Sequence, residues 1–219
     1  MNTEFNLLKY YPKSNASRIS RTKPSEIDKA ISSKFGLDYF DGSRQYGYGG
    51  YHYNEKYWTK TAQFIVEHYN LTPDSMILDI GCAKGFLIKD LLKTGKVKNV
   101  FGIDISSYAV NHSEKEIKGL TLISDAKNLP FKDKQFDLVL SINTIHNLEI
   151  DSCINALSEI ERVSKKNSFV MLDGWDTEEE KNNLDSWILT AKTVLSRPDW
   201  LQVFQKSNYR GDYFLWKFE

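Results

Sequence analysis

The sequence predicts an α/β protein with a doubly wound, mostly parallel sheet, and three patterns support this class. From Trp58 to the C-terminus, apolar runs of strand length alternate with amphipathic helical segments. Several of these runs end in an aspartate. A tight turn with two glycines joins the first run to a helix. Because parallel sheets bind ligands beyond the carboxyl ends of their strands, the aspartates predict a ligand site there.

Residues 76–88 carry the strongest of these patterns, with the letters MILDIGCAKGFLI. They read as a buried strand ending in Asp79, a loop of small residues and the start of a helix. The loop lets the backbone approach a ligand closely, and the helix offers unpaired N–H groups. A carboxylate at Asp79 is awkward for a pyrophosphate but suits a ligand with an ammonium group. The loop adds four candidate cofactor-binding residues: Gly81, Cys82, Ala83 and Gly85.

Three further strands follow in order, each bringing polar residues to its end. They cover residues 100–106, 120–126 and 135–143, and Ser106 or Ser107 is positioned to cap the next helix. Their ends supply the remaining candidate residues: Asp104, Ile105, Asp125, Ala126, Ser141 and Asn143.

These four ordered stretches resemble the motifs of class I S-adenosylmethionine-dependent methyltransferases. The resemblance implies a Rossmann-like methyltransferase fold of seven strands, with the last strand antiparallel and S-adenosyl-L-methionine as cofactor. It assigns Asp79 to the methionine ammonium, Asp104 to both ribose hydroxyls, and Asp125 with Ala126 to the adenine edge. The fourth strand, with its FDLV letters, leads to the methyl-transfer face, where Asn143 is an expected pocket residue.

The remaining elements follow from periodicity and from start and stop signals. A helix begins near Pro24 with Ile27, Ile31 and Phe35 on one side, and Gly36 stops it. The other expected elements are helices over 58–69, 151–163, 184–195 and 198–204 and strands over 168–173 and 212–218.

Composition bounds the class of protein. A chain of 219 residues suffices for one α/β domain with a modest extension. The 29 basic residues equal the 29 acidic ones, so we expect no nucleic-acid partner. The absence of a long apolar run or secretory pattern predicts a cytoplasmic protein with no membrane contact. We expect a monomer or a homodimer. Cys82 and Cys153 do not resemble part of a disulfide or metal framework.

We divide the chain into residues 1–54, an N-terminal arm, helix and Tyr/Gly-rich lid, and residues 55–219, the cofactor-binding domain. The first 24 residues hold five basic residues against Glu4 alone, which is typical of a flexible basic arm. Such an arm either covers an anionic substrate or is simply solvated.

Residues 39–53 form the segment that we call the lid, because tyrosines and glycines alternate along it. The glycines give a mobile backbone, and Tyr46, Tyr48 and Tyr51 supply flat surfaces with hydroxyl tips. Arg44 is a candidate for binding a carboxylate or phosphate. The alternative is a structural loop packed by its own aromatic rings. A similar run occurs in bacterial small-molecule methyltransferases, some tied to surface-polysaccharide modification.

His146, just past the fourth strand, is the candidate catalytic base, since its pKa suits proton transfer near neutrality. The alternative is a histidine that only shapes the pocket. Asp173, Trp175 and Asp176 follow the fifth strand on the acceptor side, and Trp175 is a further candidate substrate contact. Their spacing matches no metal signature, so no metal is expected.

The function predicted from these patterns is methyl transfer to a small polar acceptor, by O-methylation of a sugar, nucleotide-sugar or phosphorylated small molecule. Two alternatives within the class are an RNA methyltransferase and an N-methyltransferase of a small metabolite. An NAD-dependent oxidoreductase is disfavoured by Ala83 and the Asp79 carboxylate, and a non-catalytic interaction module by the intact acids.

Overall fold

The computed structural model describes residues 3–12, 23–49 and 51–217, built around one seven-stranded sheet. The strands are β1 (Met76–Ile80), β2 (Asn99–Asp104), β3 (Thr121–Ile123), β4 (Phe136–Ile142), β5 (Ser164–Trp175), β6 (Leu195–Ser196) and β7 (Asp212–Trp216). The helices are α1 (Glu26–Ser32), α2 (Leu37–Phe40), α3 (Glu55–His68), α4 (Phe86–Lys93), α5 (Ser107–Asn111), α6 (Ile150–Val163), α7 (Glu178–Trp187) and α8 (Arg197–Lys206). The expected α/β class with a doubly wound, mostly parallel sheet of seven strands is thereby confirmed.

The strand order β3-β2-β1-β4-β5 brings the ends of β1, β2, β4 and β5 into one row. Helices cover both faces of the sheet, so its central strands are buried on both sides. One core cluster lies under α6 and α8, and the other lies under α3 and α4. The Ser106 hydroxyl accepts a hydrogen bond from Ala109 N–H at 2.9 Å, so Ser106 caps α5 as expected.

The last strand is not antiparallel, contrary to our expectation from the family resemblance. β7 runs parallel to β5, from the pair Phe169 and Asp212 to the pair Asp173 and Trp216. The reason lies in β6, which pairs only with the last two residues of β5. After β6 the chain passes through α8, so that β7 starts again at the amino end of the sheet.

The helix expected over 184–195 is also placed wrongly. α7 starts six residues earlier, where the Thr177 hydroxyl accepts the Glu180 N–H and the Glu180 carboxylate accepts the Thr177 N–H. Residues 188–194 have no helical structure. We call them the 188–194 loop, and its N–H groups serve the candidate site described below.

Part of the expected basic arm is packed rather than loose. Phe5 N–H donates to the Tyr213 carbonyl at 3.0 Å, and Leu7 is fully buried. This pairing covers the outer edge of β7. Residues 1, 2 and 13–22 of the arm, with Lys13, Arg18 and Arg21, lie outside the described residues.

α1 begins at the Ser25 cap, close to the expected start, but its predicted apolar side does not hold. Ile27 is 72% exposed, and α1 ends before Phe35, which has a φ of +47°. None of the helices in the described ranges has the length and apolar character needed to cross a bilayer.

Candidate active site at the strand ends

Two buried aspartates stand at the ends of the neighbouring strands β1 and β2. Asp79 is in register with Gly102 of β2, and Asp104 lies two residues further on. The Asp104 carboxylate accepts the Ala83 N–H through Oδ2 and the Ser106 N–H through Oδ1, both at 2.8 Å. Asp104 therefore holds the glycine loop beside the start of α5. A carboxylate has about four acceptor positions, so capacity remains for ligand hydroxyls.

Burial, together with the neighbouring charge of Asp104, raises the pKa of Asp79 to about 7. Burial also raises the pKa of Asp104, although the N–H groups of Ser106 and Ala83 counteract the effect. Within the described ranges neither acid forms an ion pair with a basic side chain, and two buried acids in that position disfavour the ionised state of both. A ligand ammonium beside Asp79 would relieve this cost, so the donor set fits the methionine end of S-adenosylmethionine.

The glycine loop bends sharply against β2. Gly81 and Gly85 both have φ of +78°, and Ala83 has φ of +50°. The N–H groups of Gly81 and Cys82 both donate to the Ile103 carbonyl, at 2.8 and 3.0 Å. A Cβ atom on Gly81 would overlap the Thr144 side chain, so only glycine fits there. Burial raises the pKa of the Cys82 thiol well above its usual range, which keeps it neutral.

The predicted adenine side is more open. Ile105, next to Asp104, is 56% exposed and offers an apolar wall. Asp125 accepts the Lys127 N–H at 3.0 Å, and its carboxylate lies 3.3 Å from Lys127 Nζ. Ala126 is half-buried and packs against the core.

Two predicted site residues lie near the end of β4, Ser141 as a cofactor contact and Asn143 as a pocket residue. Ser141 is fully buried, in register with Ile80 and Val170, and its hydroxyl has no hydrogen-bond partner in the described ranges. Asn143 is exposed at a φ of +53°, and its N–H donates to the Met171 carbonyl at 3.0 Å. Asn143 thus borders the solvent-facing side of the strand ends, whereas Ser141 lies beneath them.

His146 is buried in a 3-10 turn, Ile145–Asn147, beside the end of β5. Its Nδ1 accepts the Asp173 backbone N–H at 2.9 Å. Because a backbone N–H can only donate, Nδ1 holds the lone pair, and the neutral ring carries its proton on Nε2. The His146 carbonyl accepts the N–H groups of Lys192 and Thr193 in the 188–194 loop.

The lid tyrosines lie against these strand ends as one aromatic cluster. The Tyr39 ring is 5.3 Å from that of Tyr51 and 6.2 Å from that of Tyr48. The Tyr48 hydroxyl accepts the Leu189 N–H at 2.7 Å. Burial raises the pKa of all three tyrosines, with a further contribution from Asp104 at Tyr39 and Tyr51 and from Asp173 at Tyr48. The cluster therefore extends between the β2 and β5 ends.

An ion pair connects the lid to the glycine loop, and the sequence did not indicate it. Lys84 Nζ is 2.5 Å from Asp41 Oδ1 and also donates to the Tyr51 carbonyl at 3.1 Å. The Tyr108 hydroxyl donates to the other oxygen of Asp41 at 2.7 Å. No local sequence pattern connects Asp41 with Lys84, because they lie 43 residues apart in the chain. The lysine inside the glycine loop is the one feature of the sequence that points to this ion pair.

The remaining residues predicted to contact substrate are Arg44, Tyr46 and Trp175, and the first two make contacts to other parts of the protein. The Arg44 guanidinium lies 5.8 Å from the Trp187 ring centre and donates to the Gly47 carbonyl at 3.4 Å. The Tyr46 carbonyl accepts the Ser32 hydroxyl at 2.8 Å. Trp175 is half-buried under Lys181, and its Nε1 has no partner in the described part of the chain. That part also contains no group of three or more His, Cys, Asp or Glu residues able to hold a metal ion.

Comparison with known proteins agrees with this geometry. Residues 78–172 match the family model described as a methyltransferase domain. Residues 78–172 thus form a methyltransferase domain, and the fold is that of the class I S-adenosylmethionine-dependent methyltransferases. A chain from the complex of the Haloferax volcanii Trm112 methyltransferase activator with a methyltransferase shares this fold. It has a TM-score of 0.58 at 18% identity, over 83% of this chain and 75% of that one.

Two curated relatives of this chain differ in how much of their length it covers. A tRNA (carboxymethyluridine(34)-5-O)-methyltransferase of Arabidopsis thaliana is 32% identical over 64% of this chain and 32% of its own length. An uncharacterized protein of Haemophilus influenzae is 25% identical over 69% of this chain and 65% of its own. The chain thus spans about a third of the plant enzyme and just under two thirds of the bacterial protein.

Proposed function

We propose that this methyltransferase transfers the methyl group to a hydroxyl of a small polar acceptor, such as a sugar, a nucleotide-sugar or a phosphorylated metabolite, in the cytoplasm. The observation that carries the proposal is the tyrosine cluster, which covers the strand ends between Asp104 and Asp173. A covered site admits a compact acceptor and excludes water from the reaction. Surface-polysaccharide modification is a fitting context.

The polarity of the covered region supports the same class of acceptor. Asp173, Tyr48 and Thr190 bring a carboxylate and hydroxyl groups toward the end of β5, and Asn143 adds an amide at the neighbouring β4 end. Polar groups in such numbers suit an acceptor that has several hydroxyls to pair with them.

The chain's own residues then have defined tasks. Asp79, Asp104 and the glycine loop would hold the cofactor, with Ile105, Asp125 and Ala126 around its base. S-adenosylmethionine supplies an electrophilic methyl group on a sulfonium. The lid would align the acceptor oxygen with that methyl group, because in-line displacement depends chiefly on position. His146, with its proton on Nε2, would donate a hydrogen bond to the acceptor or to its neighbours.

RNA is the second candidate acceptor, and the relatives favour it. The plant relative is a tRNA methyltransferase, and the archaeal structural neighbour is solved with the Trm112 activator. Methylation of tRNA would require the lid to open widely and a basic path to the site. The balance of 29 basic and 29 acidic residues provides no strong general attraction for RNA.

One assay separates the two candidates. Purified protein is incubated with methyl-labelled S-adenosylmethionine and either unmodified tRNA transcripts or a panel of sugars, nucleotide-sugars, sugar phosphates and small amines. We expect label in a small hydroxyl compound and none in tRNA. The Asp104→Ala variant serves as the cofactor-dependence control. Labelled tRNA at moderate salt, with no labelled small molecule, would replace the proposal with the RNA alternative, and a labelled amine would indicate N-methylation.

A further inference from the structure

We propose that Asp173, rather than His146, is the general base that takes the proton from the acceptor hydroxyl. This inference rests on the proposed hydroxyl acceptor. Asp173 lies near the end of β5, next to the β4 end where Asn143 N–H bonds the Met171 carbonyl. In the strand order it stands on the opposite side of β4 from the cofactor acids Asp79 and Asp104.

The backbone of Asp173 is fixed on both sides. Its N–H donates to His146 Nδ1 at 2.9 Å, and its carbonyl accepts the Trp200 Nε1–H at 2.9 Å. Its Cα is also in register with Trp216 of β7. A side chain on so restricted a backbone is presented in a defined position, as a general base requires.

The Asp173 carboxylate is buried beside His146 and Tyr48. Its side chain is 11% exposed, and within the described ranges no hydrogen bond reaches it. The nearest titratable group is His146, whose Nδ1 is 3.8 Å from Asp173 Oδ2 but is occupied by the backbone N–H. Tyr48 of the lid is the other titratable group facing it. Burial raises the pKa of Asp173, and the electrostatic interaction with His146 partly counteracts this.

The hydrogen bond to His146 argues against the imidazole as base. A base acting through Nε2 needs a lone pair there, but the neutral ring carries its proton on that atom. Acting through Nδ1 would require His146 to give up the Asp173 N–H. His146 is therefore a positioning residue, which fixes the Asp173 backbone and orients the carboxylate.

The proton transfer balances without any further reagent. The acceptor oxygen uses a lone pair to form the new carbon–oxygen bond, and the electrons of the broken carbon–sulfur bond neutralise the sulfonium. The hydroxyl proton moves to Asp173, which becomes a neutral carboxylic acid and later releases that proton to water.

Two variants distinguish Asp173 as the base from His146 as the base. Asp173→Asn keeps the size of the side chain but cannot accept the proton, so we expect turnover to fall by about 10²–10⁴-fold. His146→Asn places an amide oxygen where Nδ1 accepts the backbone N–H, so we expect turnover to fall by less than about tenfold. S-adenosylhomocysteine should bind both variants as it binds wild type. Asp74→Asn, an exposed acid in the turn before β1 at the opposite end of the sheet, is the matched control.

The kinetic test uses the best acceptor found in the labelled panel, or tRNA if only tRNA is labelled. A rise in turnover with pH should disappear in Asp173→Asn and persist in His146→Asn. Full turnover in Asp173→Asn, or an equal loss in both variants, would overturn the proposal. Labelling confined to tRNA would refute the small-acceptor function while leaving the Asp173 comparison measurable.

A second measurement needs no acceptor. Nitrogen NMR of ¹⁵N-histidine protein with bound S-adenosylhomocysteine should show His146 with the proton on Nε2. Thermal unfolding of Asp173→Asn near the wild-type temperature would show that the variant folds. A proton on Nδ1 instead would free Nε2 to act as the base and would remove the argument for Asp173.

Discussion

The cofactor side and the acceptor side of this site are held together by contacts of different range. On the cofactor side, Asp104 binds the N–H groups of Ala83 and Ser106, and Gly81 and Cys82 bind the Ile103 carbonyl. All these residues belong to two adjacent strands and the loops that follow them. On the acceptor side, the lid, His146, Asp173 and the 188–194 loop come from distant parts of the chain.

This difference in contact range predicts how substitutions on each side affect binding and turnover. Backbone geometry dominates the cofactor side, so a substitution there should act on cofactor affinity in an almost all-or-none way. Side-chain contacts between separate segments dominate the acceptor side, so substitutions there should be graded and should act on turnover or acceptor affinity. The four tests below probe that contrast, beginning with the largest expected effect.

Gly81→Val should abolish cofactor binding, a loss of more than about 100-fold. A valine at φ of +78° is strained, and its Cβ would overlap Thr144 next to the site. Gly95→Val is the matched control, because Gly95 has φ of +67° with open space around it. It should lose stability through strain alone and keep its affinity. The affinity for S-adenosylmethionine is measured by calorimetry. An affinity of Gly81→Val within tenfold of wild type would show that cofactor binding does not require the backbone geometry at Gly81.

Asp104→Ala should weaken S-adenosylmethionine binding by about 10–100-fold. Hydrogen bonds to a charged group contribute roughly 1.5–3 kcal/mol, and this carboxylate also holds the glycine loop through the Ala83 N–H. Asp125→Ala provides the comparison, since that half-exposed acid already pairs with Lys127 and should change affinity far less. Equal titration curves for wild type and Asp104→Ala would rule out its assignment to the ribose hydroxyls.

The same contrast explains what the sequence could predict. The strands β1, β2 and β4 and the glycine loop are local patterns of apolar runs, glycines and strand-end acids, so they were identified with nearly correct bounds. The parallel course of β7 could not be read this way. It depends on how little of the β5 edge the two-residue β6 occupies, which no local pattern encodes.

The acceptor side shows the limit more sharply. His146 was found as a candidate because histidine after the fourth strand is a recognisable feature, but its tautomer depends on the Asp173 N–H, 27 residues away in sequence. The 188–194 loop looked helical because its apolar residues continue the spacing of α7. The Thr177–Glu180 capping box is the signal in the sequence for the earlier helix start.

Cofactor affinity should rise roughly tenfold from pH 5.5 to pH 7. In the free protein the pKa of Asp79 is raised from the ordinary value of 3.8 to about 7. The ionised carboxylate therefore lowers the stability of the free fold as pH rises from about 3.8 to about 7. An ammonium bound beside it favours the ionised form, so binding releases a proton. Calorimetry in two buffers of different ionisation enthalpy measures that proton. Asp79→Asn should bind more weakly and lose the pH slope, whereas an unchanged slope would place the ammonium elsewhere.

The ion pair of Lys84 and Asp41 joins the lid to the glycine loop. Breaking it should have the smallest effect of the four changes, and that effect should fall on the lid and the acceptor rather than on the cofactor. A pair with the Lys84 side chain 8% exposed and the Asp41 side chain 23% exposed contributes on the order of 1 kcal/mol, about fivefold in an opening equilibrium. We expect Asp41→Asn to speed proteolysis within residues 39–53 by about that factor and to raise the acceptor KM, with cofactor affinity nearly unchanged. Cofactor and acceptor together should protect the wild-type lid. Asp38→Asn, an exposed acid on α2, controls for the lost charge. If Asp41→Asn instead weakens cofactor binding and leaves cleavage unaltered, the lid belongs to the cofactor side and the division between the two sides fails.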